Sequence, residues 1–133
     1  MLVVGIINQN TKKLEIGLID KDKSYEMKRD IIGGLLEAVH LPEEIEKRNI
    51  TMYVNEEGKL LQDSNLPTVV LSKDENILDI LFGNVVIVKY DYSEGQEYSL
   101  TIEDINFLEN YLYKKQTILT LNQKQLILPM IEY

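Results

Sequence analysis

The chain alternates short apolar runs with polar breaks, and the breaks carry turn formers. Leu2–Ile7 and Leu14–Ile19 are apolar and β-branched, separated by a polar stretch with Asn8, Asn10 and Thr11. Two such runs around a turn predict a β-hairpin. In the second run Leu14, Ile16 and Leu18 alternate with Glu15, Gly17 and Ile19, so one face is buried and the other partly exposed. Ser24 is placed as the N-cap of a helix over residues 25–32, with Tyr25, Lys28, Ile31 and Ile32 at helical spacing. Gly33 and Gly34 supply a left-handed stop.

Residues 35–41 resume as a strand closed by Pro42, and the charged stretch after it holds at most one helical turn. In Ile50–Asn55, Ile50, Met52 and Val54 alternate with Thr51, Tyr53 and Asn55, which predicts a strand. Glu56, Glu57 and Gly58 form a tight turn, with Lys59 starting the return strand. Pro67 to Val70 is a short extended or irregular piece. Two apolar runs, 77–82 and 84–92, are interrupted by Gly83, where a bulge or bend is expected. Residues 85–88 read as a central strand buried on both faces. Thr101 followed by Asp104 has the spacing of a capping box, and Ile105, Leu108 and Leu112 form the apolar stripe of a helix. The tail, 117–133, is rich in Ile, Leu and Thr and adds one or two strands.

A chain of 133 residues has the length of one domain. One alanine, Ala38, against many isoleucines and valines favours sheet over a helical bundle. The expected fold is α+β: a mixed or antiparallel sheet with two helices packed on one face. No run approaches the ~20 apolar residues that cross a bilayer. The apolar N-terminus lacks the basic segment and cleavage site of a signal peptide and reads as a strand. With no cysteine, disulfides, thiolate metal sites and thiol nucleophiles are all excluded, and a cytoplasmic location fits.

The net charge of −8 is unevenly spread. Residues 1–30 carry +1, residues 31–110 carry −11, and residues 111–133 carry +2. Such a field repels phosphate backbones, so direct binding of duplex nucleic acid is not expected. An acidic face could meet a basic partner surface, including a groove built for nucleic acid, or simply keep the protein soluble.

Catalytic chemistry finds little to stand on. His40 is the only histidine, and its apolar setting reads as core or strand edge. Zinc sites need several converging ligands, and no HExxH is present. None of the serines sits in a strand–turn–helix elbow. The seven glycines form no phosphate-binding loop. Asp20 and Asp22 resemble the start of a calcium loop, but Glu26 and Ile31 stand where it needs glycine and a bidentate glutamate. No catalytic residue, metal or cofactor is expected. Eight tyrosines against two phenylalanines are the remaining feature. Tyrosine suits interfaces and base stacking as well as sheet surfaces.

The segments IIGGLLEAV, NEEGKL and ILDILFGNVVIV, in this order and at these gaps, resemble one family of phages and mobile elements of Gram-positive bacteria, domain of unknown function 3846. The resemblance covers roughly residues 2–112. It implies a core of residues 1–114 and an extension, 115–133, that adds an edge strand or an oligomer contact. Its layout matches the one above: strand, helix ending in a glycine pair, strand, hairpin with NEEGKL at its tip, interrupted strand and final helix. The family tends to a polar pair after the loop proline, where this chain has Thr68 and Val69. The resemblance implies a phage or mobile-element origin and a cytoplasmic site of action in a bacterial host, and carries no activity.

The candidate binding residues are Asn55, Glu56, Glu57 and Lys59 at the hairpin tip, and Tyr90, Tyr92, Tyr98 and Tyr111 downstream. Two readings stay open. In the first, the chain is a non-enzymatic accessory protein that binds and antagonises a host defence component. In the second, it is an oligomeric binder that sequesters a nucleotide second messenger. A nucleotide site needs local cations, and the candidates are Lys59, Lys89, Lys114 and Lys115, or Lys12, Lys13, Lys28 and Arg29.

Overall fold

Four consecutive apolar residues, Val85 to Val88, are each at most 2 % exposed in the computed structural model, which describes residues 1–58 and 65–133. They open strand β7 (Val85–Asp91). On one side β7 pairs with β1 (Leu2–Ile7), on the other with β4 (Ile50–Asn55), both antiparallel. β2 (Leu14–Ile19) extends the sheet beyond β1, and β3 (Leu36–Ala38) extends it beyond β4. β8 (Gln96–Tyr98) pairs with the far end of β7. The expected first hairpin and two-faced central strand are present. The 35–41 strand contracts to three residues.

Because successive side chains on a strand point to opposite faces, β7 must be covered twice. Val86 and Val88, with Leu2 and Val4, pack beneath helix α1 (Ser24–Ile32) through Met27, Ile31 and Ile32. Val85 and Ile87, with Ile7, Met52 and Val54, pack against helix α3 (Ile102–Lys114) through Leu108 and Leu112. The α+β class holds, but the two longer helices lie on opposite faces, not one. A strand apolar on both faces needs cover on both, and α1 and α3 each supply part of it.

A second sheet, in the order β11–β5–β6, shares the α3-side core through Val69, Leu71, Leu81 and Ile131. β5 (Pro67–Lys73) and β6 (Asn76–Phe82) pair antiparallel, and β11 (Met130–Glu132) lies parallel to β5. The segment expected to be short or irregular is thus a full strand, with six of its seven residues buried. Its β-branched Thr68, Val69 and Val70 suit a pleated, buried setting. Gly83 does more than bend a strand. β6 and β7 belong to different sheets, and Gly83 at φ +86° links them in a left-handed conformation that other residues rarely adopt. The tail forms a hairpin, β9 (Thr117–Leu121) and β10 (Lys124–Leu128), before β11. Leu128 and Ile131 are fully buried, so the extension helps complete the core.

The helix ends follow local chemistry. Gly33 ends α1 at φ +79°, as expected. Ser24 is not its N-cap: the Asp20 carboxylate accepts from Asp22 N–H and caps a 3-10 turn over Lys21–Lys23, which runs directly into the helix. The one-turn helix α2 (Glu43–Glu46) lies in the charged stretch. At α3 the capping box forms as expected: Thr101 Oγ1 accepts from Asp104 N–H at 3.1 Å, and Asp104 accepts from Thr101 N–H at 2.9 Å. Asp104 also receives Lys89 Nζ of β7 at 2.9 Å and Arg48 at 3.4 Å. The cap therefore locks α3 onto the sheet.

Burial pushes the Asp104 carboxyl up, but the Lys89 and Thr101 hydrogen bonds and the Lys89 charge outweigh it and hold the group below the ordinary carboxylate range. A depressed carboxyl contributes stability that is present above its unfolded value, about 3.9, and lost as pH falls through the folded value. Asp104→Ala leaves Lys89 short of its partner and removes a cap, so it should cost about 3 kcal/mol. Urea unfolding should also show the acid-side loss of stability weakened in this variant.

Candidate functional site

Two places collect the residues that sequence analysis singles out, at opposite ends of the first sheet. The first is a junction where the three distinctive segments meet. The last turn of α1 leaves the Ile31 and Ile32 carbonyls without helical partners. Asn84 Nδ2 donates to Ile31 O at 3.0 Å, and Asn55 Nδ2 reaches Ile32 O at 3.5 Å. Asn55 Oδ1 in turn accepts from Glu57 N–H at 2.8 Å, which shapes the turn. Gly34 lies so close that a Cβ there would sit 2.7 Å from Asn55 Nδ2. Gly83 N–H donates to Leu66 O at 2.8 Å, and Gly83 O accepts from Thr68 Oγ1.

Asn55 is therefore a buried brace, whereas Glu56 and Glu57 are exposed on the turn. Lys59 and the return strand expected after it fall outside the described residues. A cleft of about 160 Å³ beside the turn is lined by Glu37, Glu56, Glu57, Asp79 and Phe82 among others. Among the described residues, no group of three or more His, Asp or Glu is placed to hold a metal ion.

The second place is a tyrosine shelf on the α1 face, where β4 and β7 run out beyond the helix. Tyr90 and Tyr92 pack edge to face, with ring centroids 4.8 Å apart. The Tyr92 hydroxyl and Thr51 Oγ1 share a hydrogen bond at 3.4 Å. Tyr53, two residues along β4, lies under the Lys28 ammonium of α1 at 5.0 Å from its ring centroid. Lys28 is itself paired with Glu97 of β8 at 3.0 Å, both side chains largely buried. Burial raises the Tyr53 hydroxyl pKa, and nearby Tyr92, Glu97 and Tyr90 push the same way. Tyr92 is 70 % exposed, and the groove beside it, about 240 Å³, is lined by Ala38, Val39, Leu41, Glu46 and Thr51.

The remaining tyrosines part company with the shelf. Tyr98 pairs with Lys89 and so faces the α3 side, where its hydroxyl donates to Glu94. Tyr111 is a tie within the fold: its hydroxyl donates to Glu132 O at 2.9 Å and accepts from Glu132 N–H at 3.1 Å. Tyr113 donates to Lys12 O at 2.7 Å, and Tyr133 donates to His40 O. His40 itself is in neither core nor sheet: its side chain is 88 % exposed, 3.7 Å from Glu46.

Most of the candidate cations are engaged. Lys12 reaches the Gln9 and Pro67 carbonyls, and its burial lowers its pKa. Lys28 pairs with Glu97, Lys89 with Asp104 and Lys115 with Glu132. Arg29 lies over the Tyr25 ring at 5.8 Å on the outer side of α1. Sequence reasoning missed Tyr53, Thr51 and the Lys28–Glu97 pair. The first two were within reach, since the alternation of Ile50–Asn55 already puts Thr51, Tyr53 and Asn55 on one face.

Residues 3–116 match the model of a family described as domain of unknown function (DUF3846). The chain belongs to that family. No curated protein and no solved structure matches it. Among the described residues, no helix is long and apolar enough to cross a membrane.

Two expectations follow from these ties. Gly34→Ala drives a methyl into the Asn55 amide and should destabilise the fold by about 1–3 kcal/mol, read as a lowered urea midpoint. Burial pushes the Tyr111 and Tyr113 hydroxyls up to about 12. Their folded values exceed the unfolded value of about 10, so the stability they contribute is lost as pH rises above about 10. In ultraviolet titration these two tyrosines should ionise last, and Tyr111→Phe should remove one late-titrating group.

Proposed function

We propose that this family member is a non-enzymatic protein that acts by stoichiometric binding, and that the tyrosine shelf receives a basic surface of its partner. The carrying observation is the Tyr90–Tyr92 pair beside Tyr53, with Tyr92 open to solvent and the Lys28 ammonium over Tyr53 already neutralised by Glu97. Aromatic rings with hydroxyl tips are favoured contact residues, and their faces attract Arg and Lys side chains. Glu46 lines the adjoining groove, and the stretch from 31 to 110 carries −11. The surroundings thus favour a cationic partner. The phage and mobile-element setting implied by the sequence resemblance makes a host defence protein with a basic, nucleic-acid-binding groove the partner to test first.

The nucleotide-sequestering alternative has the rings for base stacking but fares worse on charge. A phosphate beside the shelf would have to detach Lys28 from Glu97, and Lys89 lies on the opposite face with Asp104. Neither arrangement offers a ready cation to an anionic ligand.

Capture experiments from a bacterial lysate test the proposal. The wild-type chain should retain one protein at fixed stoichiometry, and raising salt from about 50 to about 500 mM should weaken retention, because the Debye length shortens. Tyr92→Ser, at an exposed site, should reduce retention at least about tenfold with unchanged circular dichroism. Retention indifferent to both salt and Tyr92→Ser would overturn the assignment.

A further inference from the structure

Edge strands are normally guarded against pairing with another chain by shortness, charge or bulges. Most edges of this molecule follow that rule. β2 carries Glu15, β3 is three residues long with Glu37, and β6 carries Asp79 and faces register shifts in its pairing with β5. β8 and β11 are three residues each, with Glu97 and Glu132, and β10 begins at Lys124. β9 is the exception among the described strands. Its sequence, Thr-Ile-Leu-Thr-Leu, has no charge, proline or glycine, and its only strand partner is β10.

The hairpin as a whole is unusually neutral and apolar. In a chain rich in charge, Lys124 is the single charged residue between Gln116 and Ile131. Ile118 and Ile127 stand directly opposite each other on one face, 64 % and 58 % exposed. An isolated two-stranded hairpin is marginal in water, and more strands with an apolar face are what stabilise it.

We infer that β9 is a self-association edge, pairing antiparallel with β9 of a second copy to make a four-stranded sheet, β10–β9–β9–β10. Charge selects the occupant. A second copy carries the same −8, so two copies repel through most of their surfaces and can approach where charge is absent. A basic partner is drawn instead to the acidic faces. The register follows from the turn. Asn122 and Gln123 both have positive φ, a two-residue turn closing on Leu121 and Lys124. Hydrogen-bonded pairs alternate from there, so Leu119 bonds inward to Leu126, while the backbones of Ile118 and Thr120 point outward. A two-fold axis at Leu119 then pairs Ile118 of one copy with Thr120 of the other. It also sets the two Leu119 residues opposite each other as a non-hydrogen-bonded pair, about 4.5 Å between Cα atoms.

The full chain tests this directly, because it has no cysteine of its own. In sedimentation the wild type should weigh twice 15.4 kDa, and Ile118→Glu, at an exposed site, should return it to 15.4 kDa with unchanged circular dichroism. Leu119→Cys should form a disulfide-linked dimer under mild oxidation, since that spacing suits a disulfide, while Leu126→Cys on β10, one strand away from the seam, should not. A wild type that stays at 15.4 kDa at its highest soluble concentration overturns the inference and leaves the edge to a foreign strand. So does equal crosslinking at 119 and 126, which would mean collision without register.

Discussion

The constraint on which the structure depends is the double burial of strand β7. Val85 to Val88 carry apolar side chains to both faces, so neither face can be left to solvent. One helix cannot cover both. The chain therefore places α1 on one side, and α3 with the second sheet on the other, which makes two cores separated by a single layer of strands. The Gly83 link is a consequence. It lets an apolar run that begins in the second sheet continue in the first without a long loop.

The same strand marks where function can sit. After Val88 its composition changes from aliphatic to Lys89, Tyr90 and Asp91, with Tyr92 just past its end, and the lysine and tyrosines join an apolar stem or body to a polar tip. On the α3 face Lys89 is drawn into the Asp104 cap and contributes to architecture. On the α1 face the helix has already ended its cover, and Tyr92 is left in the open with the partly buried Tyr90 and Tyr53 beside it. The Lys28–Glu97 pair closes the boundary between helix and shelf. Tyr53 and Tyr90 sit on strands fixed by the core beneath them, and Tyr92, in the turn just past β7, is held by its ring contact with Tyr90 and its hydrogen bond to Thr51. Rigid, amphipathic rings lose little entropy when a partner covers them. The junction at the other end differs in kind: its asparagines and glycines are consumed in holding α1, β4 and β7 together.

Much of this was legible in the residues, for identifiable reasons. The Gly33 stop, the Thr101–Asp104 capping box and the two-faced run at 85–88 each rest on local chemistry, and each is present. What failed to be legible depends on distance in sequence. Nothing local says that Pro67–Lys73 will find Met130–Glu132 as a neighbour, so a buried strand looked irregular. Ser24 has the side chain of a cap, but Asp20 starts a tighter turn earlier and takes that role. The tyrosines looked like one group because they are close in sequence. Strand parity and helix packing divide the four candidates into a shelf pair, Tyr90 and Tyr92, one residue on the opposite face, Tyr98, and one tie within the fold, Tyr111. Likewise Lys28, Lys89 and Lys115, offered as phosphate ligands, could not be seen as already paired until their partners were in place.

Under the proposed reading of the shelf, the chain holds another protein and leaves nucleotides alone. Native mass spectrometry of the chain purified gently from a bacterial host tests that most directly. The account predicts that any retained mass is polypeptide, and that the chain itself carries no small-molecule adduct. A nucleotide retained at fixed stoichiometry, with a cation recruited to the rings, would contradict it.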